Sequence, residues 1–149
     1  MEDERRLALH ARAWLEQSVL DAHVSGYCMY LRSRGYAPST RRVYVGCVAH
    51  FAHWARGERL GLKRLNENTV TRYLTEHLPQ CCCSKPVRRH VHDNRAALVQ
   101  LLAVLRSCGA VTMPCKTHGQ IEAELERFDQ YMRQARGLPD NTREQRVAI

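Results

Sequence analysis

The sequence contains no apolar run long enough to span a membrane, and its charged start, MEDERR, lacks the apolar segment of a secretory signal. It also lacks persuasive paired carboxylates, a Ser/His/Asp order and a glycine-rich phosphate loop. These absences predict a protein with no membrane span, cofactor or small-molecule substrate. The seven cysteines are odd in number and three are adjacent, which favours a reduced, cytoplasmic chain with free thiols over a disulfide scaffold.

The positive charge of the chain is concentrated in two segments. The 149 residues carry a net charge of +8. Residues 18–65 hold eight Lys/Arg against two acidic residues, and residues 80–109 hold five against one, while the rest of the chain is close to neutral. A surplus of this kind indicates a polyanionic partner.

Apolar residues recur at helical spacing and no strand pattern is convincing, so the sequence predicts an all-α fold. A leading helix over residues 4–16 precedes a helix that ends at Gly35. Ser39 is expected to cap the next helix and Asn66 a third, and a leucine-rich fourth helix ends at Gly109. The expected core stripes are Leu20, Val24, Tyr27 and Leu31; Tyr44, Cys47, Val48, Phe51 and Ala55; Val70, Tyr73 and Leu74; and Val87, Val91, Leu98, Leu101, Leu102 and Leu105.

The beginning of this helical pattern recurs near the end of the chain. The turn GYAPSTRR corresponds to GLPDNTRE, and the stripe before it aligns with Ile121, Leu125, Phe128, Tyr131, Met132 and Arg133. Any amphipathic helix would match the apolar positions by chance. The shared turn and the shared Thr-Arg pair are harder to explain by chance, so the two copies favour a duplication. We therefore expect an N-terminal extension over residues 1–17, a helical domain over 18–109, a linker over 110–119 and the truncated start of a second, similar domain over 120–149.

One span of the predicted domain resembles the N-terminal core-binding domain of tyrosine recombinases, also called phage-type integrases. It reads YLRSRGYAPSTRRVYVGCVAHFAHWARGERLGLKRLNENTVTRYL, with a Pro-Ser-Thr turn followed by Thr40, Tyr44, Phe51 and Trp54 along one helix. The resemblance covers about residues 18–109. It implies a compact four-helix (SAM-like) domain that clamps one face of a DNA duplex, with its second and fourth helices meeting the DNA.

In this family the tyrosine that attacks DNA belongs to a separate C-terminal domain. The stretch from His92 to Arg95 fits the family's His-x-x-Arg motif, but no catalytic arginine or β-sheet lysine segment precedes it. Tyr131 also matches Tyr30 in the repeat, so a structural role explains it. We therefore expect no catalysis by this chain alone, and interpret it as a truncated or partial product of a site-specific recombinase.

Two groups of residues are candidates for DNA contact, each at the start of a predicted helix. A helix N-terminus disfavours cations unless an anion binds there, and its N–H groups and hydroxyls suit phosphate. His53 is added because it shares a face of small residues with Arg42, Gly46 and Ala49, where a large partner is expected to approach closely. Arg42 and Arg89 are the candidates for bidentate contact with guanine. The full set is Ser39, Thr40, Arg41, Arg42, His53, Lys85, Arg88, Arg89 and His92.

The run Cys81-Cys82-Cys83 raises the alternative of a zinc site. Its further ligands would be His90, His92, Cys115 and His118. Adjacent cysteines do not match the usual C-x₂₋₄-C spacing, although Cys81 and Cys83 form C-x-C, so the sequence favours a loop with free thiols and no metal.

Three hypotheses stay open at this point. The first is a DNA-binding region of a recombinase, whose partners are double-stranded DNA and, on the DNA, other recombinase protomers. The second is a small helical protein–protein interaction module whose basic faces are solvated. The third is a zinc-stabilised helical module.

Overall fold

The structure, a computed structural model, describes residues 9–83, 87–113, 123–128 and 130. The chain divides into two compact units, residues 1–112 and residues 113–149. In its described part the first unit contains five α-helices: α1 (Leu9–Glu16), α2 (Asp21–Ser33), α3 (Pro38–Gly57), α4 (Glu67–Arg72) and α5 (Val91–Ser107). No strand occurs among the described residues, which confirms the predicted all-α fold. Within the same ranges, no helix has the length and apolar character that crossing a membrane requires.

The turn between α2 and α3 is partly as predicted. Gly35 adopts a φ of +80°, which glycine tolerates and other residues rarely do, and the Tyr36 amide donates to the Leu31 carbonyl oxygen at 3.1 Å. The prediction that Ser39 caps α3 is wrong. The helix begins at Pro38, whose fixed φ suits the first helical position, and no side chain caps it. Ser39 therefore lies within the first turn.

The central helix of the first unit is α3. Half of its 20 residues are buried, including every residue from Cys47 to Ala52. A helix buried on most of its circumference needs neighbours on several sides, and α1, α2 and α5 all pack against it. The predicted stripes are buried with three exceptions: Tyr44 and Val87 are half-buried, and Val91 is exposed at the start of α5.

The segment after α3 changes helical type along its length. Asn66 caps α4 as predicted, since its side-chain oxygen accepts a hydrogen bond of 3.0 Å from the Thr69 amide. The helix then widens into a π-helical turn (Tyr73–His77) and tightens into a 3₁₀ turn (Leu78–Gln80). Isolated π-helical turns occur frequently at functional sites, so this turn is a candidate part of such a site.

Hydrogen bonds join α2 to α5. The Tyr27 hydroxyl donates to the Ala97 carbonyl oxygen, and the Tyr30 hydroxyl donates to the Gln100 side chain, both at 2.9 Å. The helix α5 ends before Gly109, which has a φ of +74°. Beyond it Val111 is buried against the core, so the first residues of the predicted linker pack with the first unit.

Little of the second unit falls within the described residues. Residues 123–128 are helical, as the repeat predicts. Leu125 and Phe128 are 48% and 46% exposed, whereas the residues aligned with them, Val24 and Tyr27, are buried. The turn GLPDNTRE and the helix expected after it lie outside the described residues, so the duplication stays a prediction.

Candidate nucleic-acid interface

The two basic segments of the sequence meet beside α3. A Cβ added to Gly46 would lie 3.6 Å from the Cγ of Arg88, so the Arg88 stem crosses α3 at this glycine. Arg42 precedes Gly46 by four residues, which places it about one turn nearer the helix start on the same side. We use the name basic surface for the exposed and half-buried candidates around this crossing: Ser39, Thr40, Arg42, Arg88, Arg89 and His92.

Asp93 of α5 lies near enough to Tyr44 of α3 to affect its ionisation. The rings of Tyr36 and Tyr44 are 5.5 Å apart. Burial raises the pKa of Tyr44, and the charges of Tyr36 and of Asp93 on α5 raise it further. Asp93 lies 3.4 Å from His90, measured from Oδ2 to Nδ1. An acidic side chain therefore borders the basic surface, although cations outnumber it there.

Asn94 holds the segment that carries Arg88 and Arg89. Its side chain is fully buried, and its Nδ2 donates to the carbonyl oxygens of Arg88 and His90 at 3.1 and 2.9 Å. Its Oδ1 accepts a hydrogen bond of 3.2 Å from the Tyr73 hydroxyl. Both amide donors and the acceptor are thus satisfied, which fixes the chain before α5 against the π-helical turn.

Sequence reasoning missed Asn94 as a positioning residue, because it treated the residue as part of the stretch from His92 to Arg95. The sequence did contain a signal for a buried role of Asn94. Asn94 lies four residues before Leu98 and seven before Leu101, in the register of the buried leucines of α5. A polar residue in that register has to find buried hydrogen-bond partners.

The predicted contact residues at the two helix starts differ in exposure. Ser39, Arg88, Arg89 and His92 are exposed, and Thr40 and Arg42 are half-buried. Arg88 and Arg89 precede α5, which begins at Val91, so the prediction that they start this helix is wrong. Arg41 is only 9% exposed, and its side chain belongs largely to the protein interior. Lys85 lies outside the described residues.

The small face of α3 is covered by the protein itself. Ala49 is fully buried, Gly46 lies under Arg88, and the His53 ring stacks on Trp14 of α1 with centroids 4.3 Å apart. Burial, with a smaller contribution from Arg56, lowers the pKa of His53. The prediction that this face is open to a large partner is wrong, because Arg88 lies over Gly46 and Trp14 stacks on His53.

The residues considered as zinc ligands do not come together as a set. His90 and His92 are exposed at the start of α5, and Cys115 and His118 lie outside the described residues. Cys81 and Cys83 instead lie beside His50 of α3 and His77 of the π-helical turn. The available signals were a histidine within the buried part of α3 and a histidine four residues before Cys81.

Burial controls the ionisation of this second cluster. It lowers the pKa of His50 to about 4, so the ring is neutral at neutral pH. Burial and the hydrogen bond with Cys81 raise the pKa of the Cys83 thiol to about 11. Burial therefore favours the uncharged forms of His50 and Cys83.

Comparison with known proteins gives a distant relative. The protein named "Putative integrase/recombinase y4rA" of Sinorhizobium fredii (strain NBRC 101917 / NGR234) is 28% identical over 123 residues, which cover 80% of this chain and 28% of that protein. The chain thus spans less than a third of its relative's length. No family model matches the chain, and no solved structure does.

Proposed function

We propose that the first unit binds double-stranded DNA through the basic surface, as part of a site-specific tyrosine recombinase that cuts DNA with a separate catalytic domain. The observation that supports this most is the crossing of Arg88 over α3 at Gly46, because it unites two basic segments that are distant in sequence. The similarity to an integrase/recombinase supports the same function.

Contacts with phosphate groups provide most of the proposed affinity for DNA. The amides of Ser39 and Thr40 lie in the first turn of α3, where helix geometry leaves N–H groups without an intrahelical acceptor. Such groups and the Ser39 hydroxyl bind a phosphate oxygen, and the helix dipole favours its negative charge. Arg42, Arg88 and Arg89 add charge-assisted hydrogen bonds around that position.

Sequence discrimination falls to the same arginines. A guanidinium can donate two parallel hydrogen bonds to the O6 and N7 atoms of guanine in the major groove. Arg89 is exposed and Arg42 half-buried on the basic surface, so these two are the proposed base-reading side chains.

Other protomers of the recombinase join this chain on the DNA, and the chain itself does not cleave it.

Binding to a fluorescently labelled duplex of mixed sequence, measured at several potassium chloride concentrations, tests this function. The double variant Arg42→Ala/Arg89→Ala should bind at least about tenfold more weakly, since each charge-assisted contact contributes on the order of 1.5 kcal/mol. The slope of log K against log[salt] should also become shallower, by up to about two units, because the two lost cations no longer displace counterions from the duplex.

The matched control is Lys63→Ala/Arg64→Ala, which removes the same charge from two exposed side chains on the turn Leu62–Arg64, beyond the end of α3. Its affinity and salt slope should stay close to those of the wild type. Equal losses in the two double variants would show that only net charge attracts the duplex. Absence of salt-dependent binding by the wild type would exclude the proposed function.

A further inference from the structure

Four metal-ligating side chains converge behind the basic surface. His50 projects from α3, His77 from the π-helical turn, and Cys81 and Cys83 from the loop that follows. Their ligand atoms all lie within 4.8 Å of one another. His50 and Cys81 are buried, while His77 and Cys83 are half-buried. The cluster thus has an interior side and a side that a dissolved ion can reach.

The spacing of these atoms is that of a tetrahedron around one ion. His50 Nε2 lies 3.1 Å from Cys81 Sγ and 3.3 Å from His77 Nε2, and His77 Nε2 lies 3.6 Å from Cys83 Sγ. Bonds of about 2.0–2.1 Å to nitrogen and about 2.3 Å to sulfur give tetrahedral edges of about 3.3 Å between two nitrogens and about 3.6 Å between nitrogen and sulfur. The distances from His77 to His50 and to Cys83 match these values, and the His50–Cys81 distance is shorter than the nitrogen–sulfur edge by about 0.5 Å.

Neighbouring groups orient the ligands as metal sites require. His50 Nδ1 lies 3.3 Å from the Arg88 carbonyl oxygen. If the proton is on Nδ1 it donates there, and the Nε2 lone pair faces the cluster. The backbone amide of Cys83 donates to the sulfur of Cys81 at 3.4 Å, a contact that favours a thiolate. Both contacts come from the chain itself and need no rearrangement.

The donor set selects the metal. Two thiolates and two neutral imidazoles suit zinc and exclude the hard cations magnesium and calcium, which take oxygen ligands. Two negative charges also balance the charge of Zn²⁺, so the assembled site is neutral and suits a half-buried position.

We propose that His50, His77, Cys81 and Cys83 bind one structural zinc ion in a closed, four-coordinate site. The ion ties α3 to the π-helical turn and to the loop that leads to Arg88. This departs from the sequence prediction of a loop with free thiols, and it uses two histidines which that prediction did not consider. The site does not depend on DNA binding, because its ligands lie outside the residues of the basic surface.

Metal analysis of the full chain, purified under reducing conditions without DNA, tests the site. The wild type should contain one zinc per chain. Cobalt(II) in its place should give the visible bands of a tetrahedral ion and the near-ultraviolet charge transfer of two thiolates. Cys83→Ser and His77→Gln should each weaken zinc binding by more than the about 10–100-fold that loss of a hydrogen-bond partner of a ligand brings.

The matched control is Cys82→Ser, which changes the exposed cysteine between the two ligands. It should keep the zinc content and cobalt spectrum of the wild type. A wild-type protein without stoichiometric zinc and without cobalt–thiolate absorption would overturn the site, as would equal losses in Cys82→Ser and Cys83→Ser. Circular dichroism confirms that each variant is folded. Should a variant unfold, chelator competition on wild-type protein still decides whether the zinc affinity is that of a tetrahedral thiolate site.

Discussion

Replacing Asn94 with alanine should be among the most destabilising single changes in the first unit. The change removes three hydrogen bonds made by a fully buried side chain. Each is worth about 1 kcal/mol, and a buried partner left without a substitute costs about 1–3 kcal/mol. Because the Arg88 carbonyl keeps its contact with His50, we expect the total loss to be about 2–4 kcal/mol rather than the full sum.

Urea denaturation followed by circular dichroism measures this loss. Asn68→Ala is the matched control, since Asn68 is exposed on α4, and it should change the free energy of unfolding by less than about 0.5 kcal/mol. Tyr73→Phe removes one of the three bonds and should cost about 1–2 kcal/mol. In the Asn94→Ala background the same change should cost less, because the two residues are coupled by the hydrogen bond between them.

Two outcomes would refute the reasoning. One is a free energy of unfolding for Asn94→Ala within about 0.5 kcal/mol of the wild type, since the buried bonds would then contribute almost nothing. The other is strict additivity of Asn94→Ala and Tyr73→Phe, which would mean that the Tyr73 hydroxyl and Asn94 act independently. The first result would also remove the reason to regard the segment before α5 as fixed in place.

Two further predictions follow from single contacts. Gly46→Ala should leave stability unchanged or raise it by up to about 1 kcal/mol, because the added Cβ meets Arg88 at an ordinary 3.6 Å. Gly35→Ala should lower stability by about 1–2 kcal/mol, because Gly35 has a positive φ. Urea midpoints that rank the two variants the other way would contradict both predictions. The hydrogen bond from Arg106 lowers the pKa of Glu67, so its stabilisation is present above the unfolded pKa of about 4.3 and is lost as the pH falls through the folded pKa. The stability difference between the wild type and Glu67→Gln should therefore shrink between neutral and acidic pH, and a difference that is constant with pH would exclude this ion pair as its source.

Local patterns predicted the helices because they depend on near neighbours in the chain. The stop at Gly35, the cap at Asn66 and the buried leucines of α5 follow from backbone geometry and helical periodicity alone. The prediction that Ser39 caps α3 was wrong because the helix begins one residue earlier, at Pro38. Serine is common as a cap and proline is common at the first helical position, so the local sequence suits both starts.

The candidate site was less predictable, because periodicity tells which face of a helix is apolar but not what covers the other face. The small face of α3 was predicted to be open to a large partner, yet the stem of Arg88 lies over Gly46 and Trp14 stacks on His53. The cysteine–histidine cluster was not predicted either, because periodicity does not tell which distant segments pack together. Its two histidines are 27 residues apart, and only the packing of the π-helical turn against α3 brings them together.

Arg88 has an anchored backbone and a free side-chain end. Its carbonyl oxygen is held by Asn94 and lies beside His50, while its side chain runs over Gly46 to the surface. Under the proposed function, the backbone of this residue fixes its position and the end of its side chain contacts the DNA. A mutation at position 88 changes the side chain on the surface and leaves the carbonyl oxygen that Asn94 holds, so the proposed DNA affinity can evolve, or be engineered, at this point without rebuilding the scaffold.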